Sequence, residues 1–361
     1  MLPCYPRVSS TILSLVTAEI LNKQFVTAAG ELVQGFGEAL RWLNTLFRFI
    51  RPATLLAAMT PITDQAIPRI GLSHLDHLWF QVSGTLCNLT CHHCFISCSP
   101  KNDAFGFLTR KEVERRLEES LPLGVKEYYF TGGEPFLNPE MTTILELTLQ
   151  YGPATVLTNG TVLKKEWLER LRVAEEKSLY SLEFRVSIDG FSPETNDPIR
   201  GEGTFARAMK GITTLVEHGF LPIITAARTW PIEQNNEVVG RFSQMLQNAG
   251  YSRPRLKILP ALQLGAEVTR TSGYGVEERV TAAMMEGYDP SQLICDHSRI
   301  VTDRGVHVCP ILIEAADSVL GQSLAESNRS FTLSHGACWT CYQYGAICSN
   351  PSSGSKIHDH A

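Results

Sequence analysis

The sequence predicts an α/β protein: a partial (β/α)6 barrel built on a parallel sheet, followed by a small cysteine-rich α+β extension. First, strand-like and helix-like segments alternate six times between residues 76 and 262, and parallel neighbours need such helical returns. Second, unusual polar and glycine-rich sequences follow the first four strands. The carboxyl ends of barrel strands form the active-site face, so we expect these sequences to converge in space.

The elements follow in order from the periodicity and from capping signals. The predicted strands are residues 77–83, 125–130, 154–157, 182–188, 221–227 and 256–262. The predicted helices end near residues 121, 152, 176, 218 and 248. Thr109 and Glu112 form a capping box before the first helix, and Asn138 with Pro139 is expected to begin the second. Gly219 and Gly250 end the last two helices.

The composition excludes some functions and favours others. A net charge of −5 in 361 residues, without a long run of one sign, gives no support to nucleic-acid binding. Ten cysteines are too few for a disulfide scaffold in a chain of this length, and they lie in clusters. This pattern indicates metal binding in a reducing compartment, so we expect a cytoplasmic protein.

Residues 1–70 differ from the rest and are expected to form a helical extension. An apolar run at residues 8–18 is too short to span a bilayer, and no signal peptide is recognised. Residues 35–59 combine an apolar stripe with arginines on another side, which suits peripheral membrane contact or docking on the protein itself. A third interpretation is that Met59 is the true start. A truncation that begins at Met59 would separate these interpretations.

Cys87, Cys91 and Cys94 lie in a short polar loop with the spacing CxxxCxxC. Three thiolates at this spacing can reach one metal centre and leave a four-metal cluster one ligand short, which is what a catalytic site needs. Zinc remains the alternative from spacing alone, because His92 or His93 could supply a fourth ligand.

Three further motifs stand at the ends of strands two, three and four. They are Gly132-Gly133-Glu134-Pro135, Thr158-Asn159-Gly160 and Ser187-Ile188-Asp189-Gly190. Together with the cysteine loop, in this order, they resemble the radical S-adenosylmethionine (SAM) superfamily. The resemblance covers about residues 76–262.

The resemblance implies a [4Fe–4S] cluster on Cys87, Cys91 and Cys94, with its fourth iron chelated by the amino and carboxylate groups of SAM. It implies that Gly132 and Gly133 let the backbone approach the SAM amino group, because neither carries a Cβ. The other implied SAM contacts are Glu134 to the ammonium, Ser187 and Asp189 to the ribose or carboxylate, Asn159 nearby, and Arg200 to the carboxylate. One departure is His93, where the family usually has an aromatic residue.

Five cysteines near the end of the chain suggest a second metal site. They are Cys295, Cys309, Cys338, Cys341 and Cys348. This region resembles the SPASM or twitch extensions of radical SAM enzymes, with a predicted hairpin at residues 298–308. The match is partial, so we expect one auxiliary [4Fe–4S] cluster on the first four cysteines, with Cys348 as a spare ligand and structural zinc as the alternative. Cys4 and Cys98 are expected to be ordinary free thiols.

The expected organisation is an N-terminal extension (1–70), a radical SAM core (76–262), a cysteine-rich auxiliary-cluster region (263–349) and a disordered tail (350–361). The leading functional hypothesis is an enzyme that cleaves SAM to a 5′-deoxyadenosyl radical and abstracts hydrogen from a peptide or a small biosynthetic intermediate. The resemblance also implies a flavodoxin- or ferredoxin-like electron donor. A non-catalytic iron–sulfur or zinc protein that senses redox state or SAM is the alternative.

Overall fold

The computed structural model describes residues 67–345 and residue 347. The strands are β1 (Arg69–Ile70), β2 (His77–Gln81), β3 (Glu127–Thr131), β4 (Ala154–Thr158), β5 (Leu182–Ser187), β6 (Ile223–Ala227), β7 (Arg255–Leu259), β8 (Ser298–Thr302), β9 (Gly305–His307), β10 (Val319–Gly321) and β11 (Phe331–Thr332). The helices are α1 (Arg110–Ser120), α2 (Met141–Thr148), α3 (Lys165–Lys177), α4 (Pro193–Arg200), α5 (Thr204–Glu217), α6 (Asn235–Asn248), α7 (Val268–Thr271), α8 (Ile294–His297) and α9 (Gly336–Tyr344).

Strands β2 to β7 lie side by side in sequence order, and all are parallel. The long helices α1, α2, α3, α5 and α6 return the chain between consecutive strands, as right-handed parallel connections require. This arrangement confirms the predicted fold class. It also places the ends of β2, β3, β4 and β5, with the loops that follow them, at one edge of the sheet.

The predicted hairpin is present but joins the core sheet. Strands β8 and β9 pair antiparallel, and β8 also pairs in parallel with β2, so that His77 lies opposite Ser298. All five residues of β8 are buried. The hairpin therefore covers the edge of β2 that would otherwise present unpaired backbone groups. Strand β10 then extends the sheet beyond β9, and β11 pairs with β1.

The two faces of the sheet differ in chemistry because side chains alternate along each strand. On one face Leu78 and Phe80 of β2 and Phe130 of β3 join the large apolar core. On the other face Trp79 and Tyr129 stack with ring centroids 4.1 Å apart and pack in the same buried group as Cys87.

One predicted helix start is confirmed and two others differ from expectation. Thr109 and Glu112 form the predicted capping box. The side-chain amide of Asn138 instead donates to the carbonyls of Val82 and Leu108, at 2.7 and 2.8 Å. Helix α2 therefore begins later than expected, at Met141. Helix α4 was not predicted, although Ser192 followed by Pro193 is a recognised start signal.

Several predicted features lie outside the described residues. They are the N-terminal extension up to residue 66, with its amphipathic stretch 35–59, Cys4, Cys348 and the tail 350–361. Within residues 67–345, no helix has the length and apolar character needed to cross a membrane.

Candidate active site

The cysteine loop is fastened to the glycine-rich turn after β3. The backbone N–H of Gly133 donates to the Gly84 carbonyl at 2.9 Å, and that of Glu134 donates to the Leu86 carbonyl at 3.0 Å. A Cβ on Gly133 would lie 2.1 Å from the Leu86 oxygen, and one on Gly132 would lie 2.1 Å from Ser83 Oγ. Glycine is therefore required here for the close approach of two loops of the chain, a packing reason in addition to the predicted approach to the SAM amino group.

The sulfur atoms of the loop accept N–H groups. Leu89 N lies 3.4 Å from Cys87 Sγ, and Asn159 Nδ2 lies 3.7 Å from the same atom. Cys98 N lies 3.3 Å from Cys94 Sγ. Such donors stabilise negative charge on cysteine sulfur and help to set the potential of an iron–sulfur cluster. The donor set of this loop therefore fits a cluster.

The three thiols differ in acidity. Burial raises the pKa of Cys87 to about 12 and that of Cys91 to about 11. Hydrogen bonding by the Cys98 thiol, with its backbone N–H, lowers the pKa of Cys94 to about 6. Metal binding must displace protons from thiols of this kind, because only thiolates bind metal. Cys98, expected to be an ordinary thiol, thus lies in direct contact with Cys94.

Glu134 is fully buried and joins the ends of β3 and β4. Its Oε1 accepts the Thr158 hydroxyl at 2.7 Å and Phe136 N at 3.1 Å, and its Oε2 accepts Asn159 N at 2.7 Å. Burial raises the pKa of this carboxyl to about 7. A carboxylate has about four acceptor positions, so Oε2 retains one for a ligand.

Asn159 ties the end of β4 to the cysteine loop. Its Nδ2 donates to Asn88 Oδ1 at 2.9 Å, and its Oδ1 accepts Thr161 N at 2.9 Å and the Thr161 hydroxyl at 2.6 Å. Thr161 accepts in turn from Asn88 Nδ2 at 2.8 Å. The side chain that was predicted to lie near SAM therefore also fixes the residue next to Cys87.

Asp189, which follows β5, contacts two basic side chains. Its Oδ2 lies 2.8 Å from His93 Nε2 and 2.5 Å from Arg200 Nε, and its Oδ1 accepts Ala227 N at 2.7 Å. The Arg200 contact is a charge contact without hydrogen-bond alignment. Although burial opposes it, Arg200 and His93 hold the pKa of Asp189 well below its usual range.

The group His93–Asp189–Arg200 was not foreseen as a unit. The sequence singled out each residue separately, and only the absence of an aromatic residue at His93 hinted at a polar contact there. Arg200 reaches the site through α4, whose Ile199 carbonyl accepts His92 N at 2.9 Å. Ser187, which was predicted to contact SAM, lies 3.3 Å from the Thr225 hydroxyl.

We expect Asp189→Asn to lower the free energy of unfolding by about 3–5 kcal/mol at pH 7, because Arg200 would remain buried without its counter-charge. The depressed pKa adds a pH signature. The stabilisation from Asp189 is fully present above the ordinary carboxyl pKa of about 4 and is lost as pH falls below it. The free energy of unfolding, measured in urea for the metal-free proteins between pH 3 and 7, should therefore fall less steeply in acid for the variant than for the wild type. Equal acid slopes would contradict the assignment.

The second group of cysteines also comes together. Cys295 in α8, Cys309 after β9, and Cys338 and Cys341 in α9 line one apolar cavity, all as free thiols. Burial raises the pKa of each of them. Four mutually close thiols with no other polar group in the cavity wall are a suitable donor set for a four-iron cluster.

In the described part of the chain, no three His, Cys, Asp or Glu side chains converge on a position for a single metal ion. The cysteines of a four-iron cluster each bind a separate iron atom, so they need not share such a position.

The first site lies within the part of the chain that is similar to known proteins. The model of the radical SAM superfamily matches residues 82–239. The antilisterial bacteriocin subtilosin biosynthesis protein AlbA of Bacillus subtilis is 34% identical over 135 residues, covering 37% of this chain and 29% of the relative. The AdoMet-dependent heme synthase of Methanosarcina barkeri is 37% identical over 136 residues, covering 37% of each protein. The chain thus spans about a third of the length of these relatives.

Solved structures agree on the fold. Streptococcus suis SuiB bound to the precursor peptide SuiA superposes with a TM-score of 0.54 at 16% identity, covering 72% of this chain and 66% of SuiB.

Proposed function

We propose that the chain is a radical SAM enzyme that modifies a peptide or builds a cofactor or natural product, which the match of residues 82–239 to the radical SAM superfamily model supports. The observation that carries the proposal is the convergence of the three-cysteine loop with Glu134 and Asn159 at the carboxyl ends of the strands. A non-catalytic sensor has no need of a site in which the cysteine loop, the glycine-rich turn and the Asn159 turn are bonded together.

Each residue then has a role toward the cofactors. Cys87, Cys91 and Cys94 would hold a [4Fe–4S] cluster, which would supply the electron for cleavage of SAM to methionine and a 5′-deoxyadenosyl radical, the species that would take hydrogen from the substrate. Glu134 has an acceptor position left for the SAM ammonium. The remaining proposed SAM contacts are Gly132, Gly133, Asn159, Ser187, Asp189 and Arg200.

Asp189 and Arg200 would act as a pair at this site. Asp189 holds Arg200 Nε, and the paired guanidinium would orient the SAM carboxylate. His93 contacts the same carboxylate and would hold the cysteine loop against the residues that follow β5.

We propose that Cys295, Cys309, Cys338 and Cys341 hold an auxiliary [4Fe–4S] cluster within an auxiliary-cluster region at residues 263–349. Their shared apolar cavity supports this, and Cys348 remains a candidate ligand. Residues 76–262 would form the core, and residues 1–70 would form an extension. Iron or zinc content decides between the two metals.

A peptide is the substrate class we favour. The support is that AlbA is named for the biosynthesis of a bacteriocin and that SuiB was solved with a precursor peptide. A flavodoxin- or ferredoxin-like protein would supply the electron. A cytoplasmic location, and peripheral membrane contact through residues 35–59, complete the proposal.

Anaerobic reconstitution tests the proposal. The wild-type protein with iron, sulfide, SAM and dithionite should bind about eight irons per chain and release 5′-deoxyadenosine. Adding a short peptide substrate should raise the yield of 5′-deoxyadenosine. No 5′-deoxyadenosine from a fully loaded, reduced protein, with candidate peptides present, would favour the sensor.

A further inference from the structure

Arg299, in β8, is a buried arginine whose guanidinium lies beside the second cysteine group. The side chain is buried, with 1% exposure. Its Nη1 donates at 2.7 Å to the carbonyls of Cys295 and Ser298, and it lies 3.5 Å from the carbonyl of Val308, the residue before Cys309.

The other donors of Arg299 also end on backbone carbonyls. Nε donates to Ser327 O at 3.1 Å and Nη2 donates to Arg329 O at 3.2 Å. Within residues 67–345, no carboxylate forms an ion pair with this guanidinium. The nearby acid Asp296 accepts the Ser73 hydroxyl at 2.6 Å instead.

A buried cation without an anionic partner is costly, since carbonyl dipoles replace only part of its hydration. The hydrogen bonds of Arg299 to the carbonyls of Cys295 and of Val308, the residue before Cys309, place the guanidinium beside two of the four cysteines. Neutral thiols would leave the charge uncompensated, whereas thiolates that bind a metal cluster would compensate it. The site therefore has the charge balance of a metal-loaded state.

We propose that Arg299 is the counter-charge of the auxiliary cluster and holds its reduction potential up. This inference rests on the proposed second cluster. Uptake of one electron from a low-potential reductant makes the cluster more negative by one charge. A fixed cation stabilises that added charge more than the oxidised state, because the interaction grows with the charge.

The test uses the full-length Cys87/Cys91/Cys94→Ala variant, in which the only iron is that of the second site. Redox titration followed by electron paramagnetic resonance gives the midpoint potential. In Arg299→Gln the equilibrium between the oxidised and reduced cluster should shift at least tenfold toward the oxidised state relative to the parent. This corresponds to a midpoint potential lower by about 59 mV or more for a one-electron couple. Arg299→Lys keeps the charge and should stay closer to the parent.

Arg116 supplies a matched control. It is another buried arginine, and it reaches the C-terminal region through the Gln322 carbonyl, but it has its own carboxylate partner, Glu119 at 2.6 Å. Arg116→Gln should leave the midpoint potential unchanged.

The outcomes separate the two proposals. If the parent triple variant binds no iron, the second cluster is absent and this inference falls with it. If iron is bound and Arg299→Gln has the parent potential, the inference alone is wrong. If Arg299→Gln folds but loses its iron, retention by Arg299→Lys supports the charge role. If Arg299→Gln and Arg299→Lys both lose iron, Arg299 serves only to hold the five backbone carbonyls in place, and the inference is overturned.

Discussion

The Cys87/Cys91/Cys94→Ala variant is expected to bind about four irons per chain, against about eight in the wild type, and to release no 5′-deoxyadenosine above the level without protein. The reason is that the loop supplies all three protein ligands of the proposed first cluster, while the C-terminal cysteines lie in a separate buried group. Iron and sulfide analysis with chromatography of the SAM products measures both effects.

Cys98→Ala is the control for this variant. It removes a neighbouring thiol from the same loop but keeps the backbone N–H that contacts Cys94 Sγ. We expect it to retain both its iron and its SAM cleavage. Cleavage by the triple variant would refute the assignment of the first cluster. About four irons in the wild type and almost none in the triple variant would instead leave the C-terminal cysteines as zinc ligands or thiols.

The sequence was sufficient to predict that the motifs converge. Strand alternation and helical returns are local patterns, and parallel connection places the carboxyl ends of successive strands at one edge. Cys87, Glu134, Asn159 and Asp189 each follow a strand, so their neighbourhood was expected before any geometry was known.

The contacts that connect these residues could not be read from the sequence. His93 and Asp189 are 96 positions apart, and no local pattern indicates that His93 and Arg200 both contact the Asp189 carboxylate. The pairing of β8 with β2 is equally non-local, because a hairpin pattern does not tell which sheet edge it covers. The packing reason for Gly133 also depends on a loop 47 positions earlier, at Leu86.

Glu134→Gln is expected to weaken SAM binding about 10- to 100-fold and to reduce SAM cleavage accordingly. A charge-assisted hydrogen bond to the SAM ammonium contributes about 1.5–3 kcal/mol, and each 1.4 kcal/mol is tenfold in affinity. The reconstituted protein and SAM can be compared by calorimetry. Thr158→Val is the matched control, because it removes one donor to Glu134 and keeps the charge. Equal loss of SAM affinity in both variants would show that Glu134 acts only as a scaffold.

The same substitution carries a pH signature in the metal-free protein. The pKa of Glu134 is raised by burial to about 7 from an ordinary value near 4.5. A raised carboxyl pKa gives stability that is fully present below pH 4.5 and is lost as pH rises through 7, about 3 kcal/mol at 1.36 kcal/mol per unit. Between pH 4.5 and 7.5 the free energy of unfolding of Glu134→Gln should therefore rise by about 3 kcal/mol relative to that of the wild type. Parallel pH profiles for the two proteins in urea titrations would mean that Glu134 titrates normally, and its burial between β3 and β4 would then need revision.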